Sequence, residues 1–516
     1  MPAAPAQAAL ETLVQDDASL LHRPTEQVRA SMQKLRSLGV DRVRLTANWS
    51  VLTREADAKL KPLDFDARDP AAYEQARWAG LDEAVRLAHE TGLKVMIDIG
   101  FWAPHWAASD GPGPRARTNV DPQAFADFAV AVARRYSGGW EPLPTVLPAV
   151  PPSQDQALLE GIFGRRPATP APIPPGPLPL VDEFVLWNEP NHPSLLLPQW
   201  TTGNPERPHP ASPALYARMV RAAYPAAKAV RPDADFLLGN TSSDGGRPPH
   251  GSVAPLLFLR DMACVDADLR TLRRAACRNF QRLPGDGWAH HPYPRQVRPD
   301  DAGRADRSDN VRIGNLARLS TLLRRLADSG RISKRLRRIH ITEFGYETSR
   351  IPGRPTLSEA TQARWLTWAE YLASKVPGVV TFAQFLLRDL PPGPVRVSTS
   401  VRRGFGEYYT GLETADGKDK LAAKSFTAGL FAQRRGEREV LLWGRLRLGA
   451  GAKSITIHRR RDGGAWRRLR SLTVDGQDSF SLTTRYVRGA RYRLRWPGAD
   501  GRTVAGLTIE VVKAAR

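Results

Sequence analysis

Apolar positions along this chain switch repeatedly between two spacings. Residues 25–38 carry Val28, Met32 and Leu35 at helical intervals and are followed by Gly39, which predicts an amphipathic helix with a glycine stop. Val43 to Thr46 reads as a strand, 74–91 as a helix ending at Gly92, and Lys94 to Ile99 as the next strand. Asp121-Pro122 opens a helix over 121–136, a capping side chain followed by proline at the first helical position. Further strands are expected at Phe184 to Trp187, Asp235 to Leu238, just before His290, Ile339 to Ile341 and Val379 to Phe385. Helices are expected over 212–230, 313–328, 358–375 and 419–432, and a short first strand at Leu13-Val14. Eight strand–helix alternations from about residue 12 to 432 predict an α/β fold, a (β/α)8 TIM barrel with insertions. A doubly wound open sheet is the other candidate. It would carry a glycine-rich phosphate loop after its first strand, and none is present.

Residues 141–180 hold 12 prolines, which excludes regular structure and predicts an extended surface loop. Lying between the third helix and the fourth strand, it is expected on the barrel face opposite the strand ends. From about residue 437 the pattern changes to short alternating runs separated by Gly and Asp, with turns at Gly449-Ala450-Gly451 and Asp462-Gly463-Gly464. These predict a small antiparallel β-sandwich. The expected domains are therefore 1–432, the barrel with its Pro-rich insertion, and 433–516, the sandwich.

Composition sharpens this in three ways. The 516 residues are 41% apolar with 13 Trp, ample for a large core, and no run approaches a membrane span. The net charge is +22, and residues 434–516 alone hold 20 Lys/Arg against 7 Asp/Glu. Such a tail reads either as a surface attracted to an anionic surface or acidic glycan, or as a solvated Arg-rich habit. No nucleic-acid motif accompanies it, so no specific nucleic-acid partner is expected. The only cysteines are Cys264 and Cys277, either a loop-closing disulfide or two unrelated buried thiols. No signal peptide is visible, and the Ala/Pro-rich start at Met1 to Ala9 looks like a cut end.

Two apolar runs end in glutamate: Phe184-Val185-Leu186-Trp187-Asn188-Glu189-Pro190 and Ile339-His340-Ile341-Thr342-Glu343-Phe344-Gly345. Glutamate is depleted in buried strands, so its place at two strand ends needs a reason. A parallel barrel gathers strand ends at one mouth. The others supply Arg44 and Trp49, then Trp102, His105 and Trp106, then His290, His291 and Tyr293, then Gln384. This set offers paired carboxylates, hydrogen-bonding groups and aromatics but no metal-binding triad, and no cofactor or metal is expected.

With Asn188-Glu189-Pro190, Thr342-Glu343-Phe344-Gly345, Val43-Arg44-Leu45 with Trp49, and His291-Pro292-Tyr293 in this order, residues 12–432 resemble the retaining (β/α)8-barrel glycoside hydrolases whose catalytic glutamates end strands four and seven. Within that superfamily the chain is most like the family 5 and family 39 types. The resemblance implies an O-glycosidase acting on an oligo- or polysaccharide or glycoside by double displacement. Glu189 is then the general acid/base, set in a drier and less positive environment, and Glu343 the nucleophile, held ionised by Arg44 and Tyr293. Asn188 would meet the sugar 2-hydroxyl and His291 the nucleophile or sugar. Trp49, Trp102 and Trp106 would stack on sugar faces. A secreted or extracellular location is expected. The competing reading is a non-catalytic glycan-binding or cell-surface protein on the same scaffold, and beyond it a polyanion binder using the basic tail.

Overall fold

The computed structural model describes residues 10–142, 152–163, 176–201, 208–301, 308–348, 356–390, 408–498 and 500–513. Eight parallel strands close into a barrel in chain order: β1 Glu11–Gln15, β2 Arg42–Asn48, β3 Lys94–Gly100, β4 Glu183–Leu186, β5 Asp235–Ser242, β6 Gly287–His291, β7 Ile339–Ile341 and β8 Val379–Phe385. β8 returns to β1 with Leu13 opposite Ala383. Helices cover the outside, so nearly every strand position is buried. One small apolar layer fills the bore: Leu13, Met96, Val185, Leu237, Ala289 and Ala383.

Polar layers lie on either side of it. Towards the strand N-termini, Arg42 pairs with Glu183 at 3.2 Å, and His340 Nδ1 lies 3.1 Å from Glu183. Burial pushes the Glu183 carboxyl up to about 7 against the pull of Arg42. A carboxyl raised by folding favours the native state fully below its unfolded value, and that contribution is lost as pH rises through 7. Glu183→Gln is therefore expected to gain stability relative to wild type between about pH 4.5 and 7, by about 3 kcal/mol. Denaturant midpoints across that window measure it.

The C-terminal chain forms two antiparallel sheets, as the alternating runs predict. Its main strands are β9 Ala428–Arg435, β10 Glu439–Leu446, β11 Ala452–Arg460, β12 Arg467–Asp475, β13 Ser479–Arg485 and β14 Arg491–Pro497. One sheet runs β13-β10-β9, with Val512–Lys513 added in parallel beside β9. The other runs β12-β11-β14 with Thr503–Ala505 and Ile509–Glu510. They enclose a core including Leu430, Leu442, Ile455, Ile457, Tyr492 and Leu494.

Two expectations need correction. The helix predicted over 419–432 spans only Leu421–Thr427, and the chain passes straight into β9. Its second half, AGLFAQ, pairs with β10, and that tertiary pairing overrides helix propensity. The Pro-rich insertion is not wholly irregular. Residues 153–166 contain no proline, and Gln154–Phe163 is a helix. This helix also lies on the mouth face, not opposite it. Leu159 packs with Trp102 and Leu195, beyond the ends of β3 and β4, and Phe163 stacks on His22, beyond β1, at 5.3 Å. Insertion positions 143–151 and 164–175 lie outside the described residues, as does the Met1–Ala9 start.

The chain just past β10 is fastened to the base of the barrel. Arg447 donates to Thr12 Oγ1 at 2.9 Å, to the Phe426 carbonyl at 2.9 Å and to Glu370 Oε1 at 2.5 Å. Gly39, at φ +75°, allows this approach, since a Cβ there would meet the Arg447 backbone. Arg445 also reaches Glu370, at 3.4 Å, so removing Arg447 does not strand the carboxylate but forfeits a charge-assisted hydrogen bond, about 1.5–3 kcal/mol. Arg447→Ala should show that loss in a urea titration.

Candidate active site

The glutamates at the ends of β4 and β7 meet across the barrel mouth. Glu189, Glu343 and His291 each present an oxygen or nitrogen within 4.8 Å of the other two. Glu189 and Trp187 have positive φ, +38° and +72°, so the chain leaves β4 through two left-handed residues that turn Asn188 and Glu189 into the mouth. Glu189 N–H is tied to the Asn240 carbonyl at 3.0 Å.

Glu343 is 9% exposed and held by two donors. Arg44 Nη1 reaches its Oε1 at 2.7 Å, and the Tyr293 hydroxyl reaches Oε2 at 3.2 Å. Arg44 is wholly buried and also serves Asp98 Oδ2 at 2.7 Å, Asn188 Oδ1 at 3.0 Å and Gln15 Oε1. Burial raises Asp98 to about 6 in spite of Arg44, with Glu343 adding to the rise. Asp98 is thus a paired core acid, as its place inside a strand suggests. The Tyr293 phenol is pushed well up, first by burial and then by Glu343, and stays a donor.

Asn240 organises the other half. Its Nδ2 donates to the Trp187 carbonyl at 3.2 Å and to Asn188 Oδ1 at 2.8 Å. A carbonyl can only accept, so this fixes the amide orientation and leaves Oδ1 facing Thr342 Oγ1 (2.8 Å) and His291 Nε2 (2.9 Å). His291 Nε2 therefore carries hydrogen. His291 Nδ1 lies 2.9 Å from Glu189 Oε1 and 3.6 Å from Glu343 Oε2. At the shorter contact one proton is shared, on the imidazole or on the carboxyl.

That sharing corrects the environment expected for Glu189. Burial raises its carboxyl, but the His291 hydrogen bond and charge, followed by His192 and Arg44, outweigh burial and hold it below the ordinary value. The side chain is 19% exposed, and its setting is not less positive. The three side chains are also close enough to ligate a cation, although His291 Nδ1 is already engaged by Glu189.

Arg44, Asn188, His291 and Tyr293 thus converge on the two glutamates. Trp49 and Trp102 do not. Both are 0% exposed. Trp49 packs behind the barrel wall on Phe128 at 5.5 Å and on Phe125 and Trp106. Trp102 is covered by Leu159 and Leu195 and donates to the Ser194 carbonyl. A ring with no exposed face cannot stack on sugar, so both positions are corrected to packing. Trp106 is partly buried in the same aromatic core. Burial lowers His290 to about 4, and its ring nitrogens are taken by Thr241 and the Val311 carbonyl. Gln384 donates to three backbone carbonyls, a structural role. Asn240 and Gln15 join the site without being expected from the sequence. Asn240 sat beyond the expected end of strand five, and its signal was the same as for Glu189, a polar group closing an apolar strand.

No family model matches this chain, and no curated protein does. Similar solved structures include the endo-beta-1,4-mannanase from Thermotoga petrophila, 12% identical over 98% of each chain with a TM-score of 0.38. GH5_18 from Streptomyces cattleya in complex with GlcNAc is 15% identical, with 82% of this chain and 79% of that one covered and a TM-score of 0.43. Bacteroides uniformis beta-glucuronidase 2 is 11% identical with a TM-score of 0.39, and the match covers 98% of this chain but only 46% of that one.

Proposed function

We propose that this chain is a retaining O-glycoside hydrolase that cleaves an oligo- or polysaccharide or a glycoside through a covalent glycosyl-enzyme. One observation carries the reading: carboxylate oxygens of Glu189 and Glu343 lie within 4.8 Å of each other. Direct attack on the anomeric carbon needs carboxyl groups about 5–5.5 Å apart, whereas room for an intervening water needs about 6.5–9.5 Å.

Glu343, held by Arg44 and Tyr293, attacks the anomeric carbon. The glycosidic C–O bond breaks as Glu189 passes its proton to the leaving oxygen. Glu189 then takes a proton from water, the water oxygen attacks the same carbon, and the bond to Glu343 breaks. The proton shared between His291 and Glu189 supports this double duty, because the contact keeps one proton at the carboxyl for the leaving oxygen and offers a place for the one taken back from water. Asn188, its carbonyl fixed by Arg44 and Asn240, keeps its amide N–H for the sugar 2-hydroxyl.

Cys264 and Cys277 form a disulfide, which favours an oxidising compartment and hence a secreted enzyme of polysaccharide catabolism. Among the described residues no helix is long and apolar enough to cross a membrane. A panel of aryl glycosides, with NMR of the first-formed product, tests the reading. The expected result is retained anomeric configuration. A first product of inverted configuration overturns the mechanism, and glycan binding without turnover of any glycoside favours the non-catalytic scaffold.

A further inference from the structure

The basic surplus of the C-terminal chain is sorted onto one sheet. β11, β12 and β14 together hold nine Lys/Arg and one Asp. Along β14, Tyr492, Leu494 and Trp496 turn into the core, which leaves Arg491, Arg493 and Arg495 on the outer face. Register completes the pattern. His458 of β11 lies opposite Arg493 on one side and Arg468 on the other, Thr456 opposite Arg495, and Arg460 opposite Arg491. Five arginines therefore surround one histidine on a single face.

Most of this charge is uncompensated. Arg491 meets Asp462 at 3.4 Å and Glu510 at 3.3 Å. Arg460, Arg468, Arg493 and Arg495 form no ion pair with a carboxylate among the described residues. Burial and then the charges of Arg495, Arg493 and Arg468 hold His458 below its ordinary value. Like charges on neighbouring strands destabilise a sheet, and a bound polyanion would relieve that repulsion. The arginines of β14 recur every second residue and span about 14 Å, the reach of a polymer and not of a single small anion.

We propose that the outer face of the β12-β11-β14 sheet is a docking surface for a carboxylate-bearing polysaccharide. Guanidinium groups match carboxylates as planar two-point donors. The choice of a glycan over other polyanions rests on the hydrolase reading above, and one feature of the face supports it independently. Single-stranded nucleic acids bind on open aromatic platforms. Here the Trp466 ring is already engaged by Arg493 at 4.2 Å and Arg460 at 4.8 Å, and Tyr492 and Trp496 face inward.

The test uses the full chain on immobilised polygalacturonate, neutral dextran and single-stranded DNA, at low and high salt. Wild type should be retained on polygalacturonate at low salt, released at high salt, and pass freely through dextran. The double variant Arg493→Gln/Arg495→Gln should bind polygalacturonate about tenfold more weakly or worse. Its Tm should be unchanged or higher, since repulsion is relieved, and its turnover of small aryl glycosides should be unchanged. A purely structural role for these arginines would instead lower Tm and leave retention alone. Equal retention of the variant, or no retention of wild type at low salt, overturns the proposal. Tighter binding to DNA through the same residues overturns it in favour of a nucleic acid. Absence of glycoside turnover with polygalacturonate binding intact would count against the hydrolase reading and leave the surface standing.

Discussion

Glu343→Ala is expected to lower kcat/KM on aryl glycosides about ten-thousandfold or more, equivalent to about 5.5 kcal/mol of lost transition-state stabilisation. The variant should remain folded. Arg44 keeps Asp98 at 2.7 Å as a carboxylate partner, so removing Glu343 does not strand a buried cation. Circular dichroism and Tm verify that point before the rates are compared. Azide, small enough for the vacated space, should restore part of the rate. Because it attacks the anomeric carbon directly, the glycosyl azide formed should have inverted configuration. A variant with wild-type activity, or one rescued to a product of retained configuration, would show that Glu343 is not the nucleophile.

The parts of this site that were legible in the sequence are those fixed by chain position. A polar residue that closes an apolar strand has little choice of location once eight such strands close into a barrel. Asn188, Glu189, His291, Tyr293 and Glu343 follow that rule, Arg44 reaches them from within β2, and the structure brings all six within hydrogen-bonding reach of one another. Position does not reveal which side of the barrel wall a ring occupies. Trp49 follows β2 by one residue, yet it turns outward to Phe128 because the covering helix Pro122–Arg135 offers an aromatic surface there. The insertion misled for a related reason. Its prolines describe where chain cannot be regular, whereas the proline-free stretch with Leu159 and Phe163 determines where it packs. Asn240 lies past the strand end that the apolar run Asp235 to Leu238 predicts. β5 continues past Gly239, with a register shift between Gly239 and Thr241, and that irregularity turns the Asn240 amide towards His291.

Glu189→Ala should lose activity in a way that depends on the leaving group. General acid catalysis contributes about 100- to 10,000-fold, and only where the departing oxygen needs a proton. Alkyl glycosides and oligosaccharides should therefore fall by that full range. A dinitrophenyl glycoside, whose phenolate leaves unaided, should still form the glycosyl-enzyme and then stall, because no base remains to activate water. A burst of dinitrophenolate followed by a slow steady state is the expected trace. Azide needs no base, so it should release the stalled sugar as a glycosyl azide of retained configuration, opposite in stereochemistry to the Glu343→Ala product. The contrast between the two products separates the roles of carboxylates that the fold places side by side. The change also removes the partner of His291 Nδ1, while Nε2 stays on Asn240 Oδ1 at 2.9 Å, so the imidazole should hold its place. Equal losses for dinitrophenyl and alkyl substrates, with no burst, would remove Glu189 from the acid/base role.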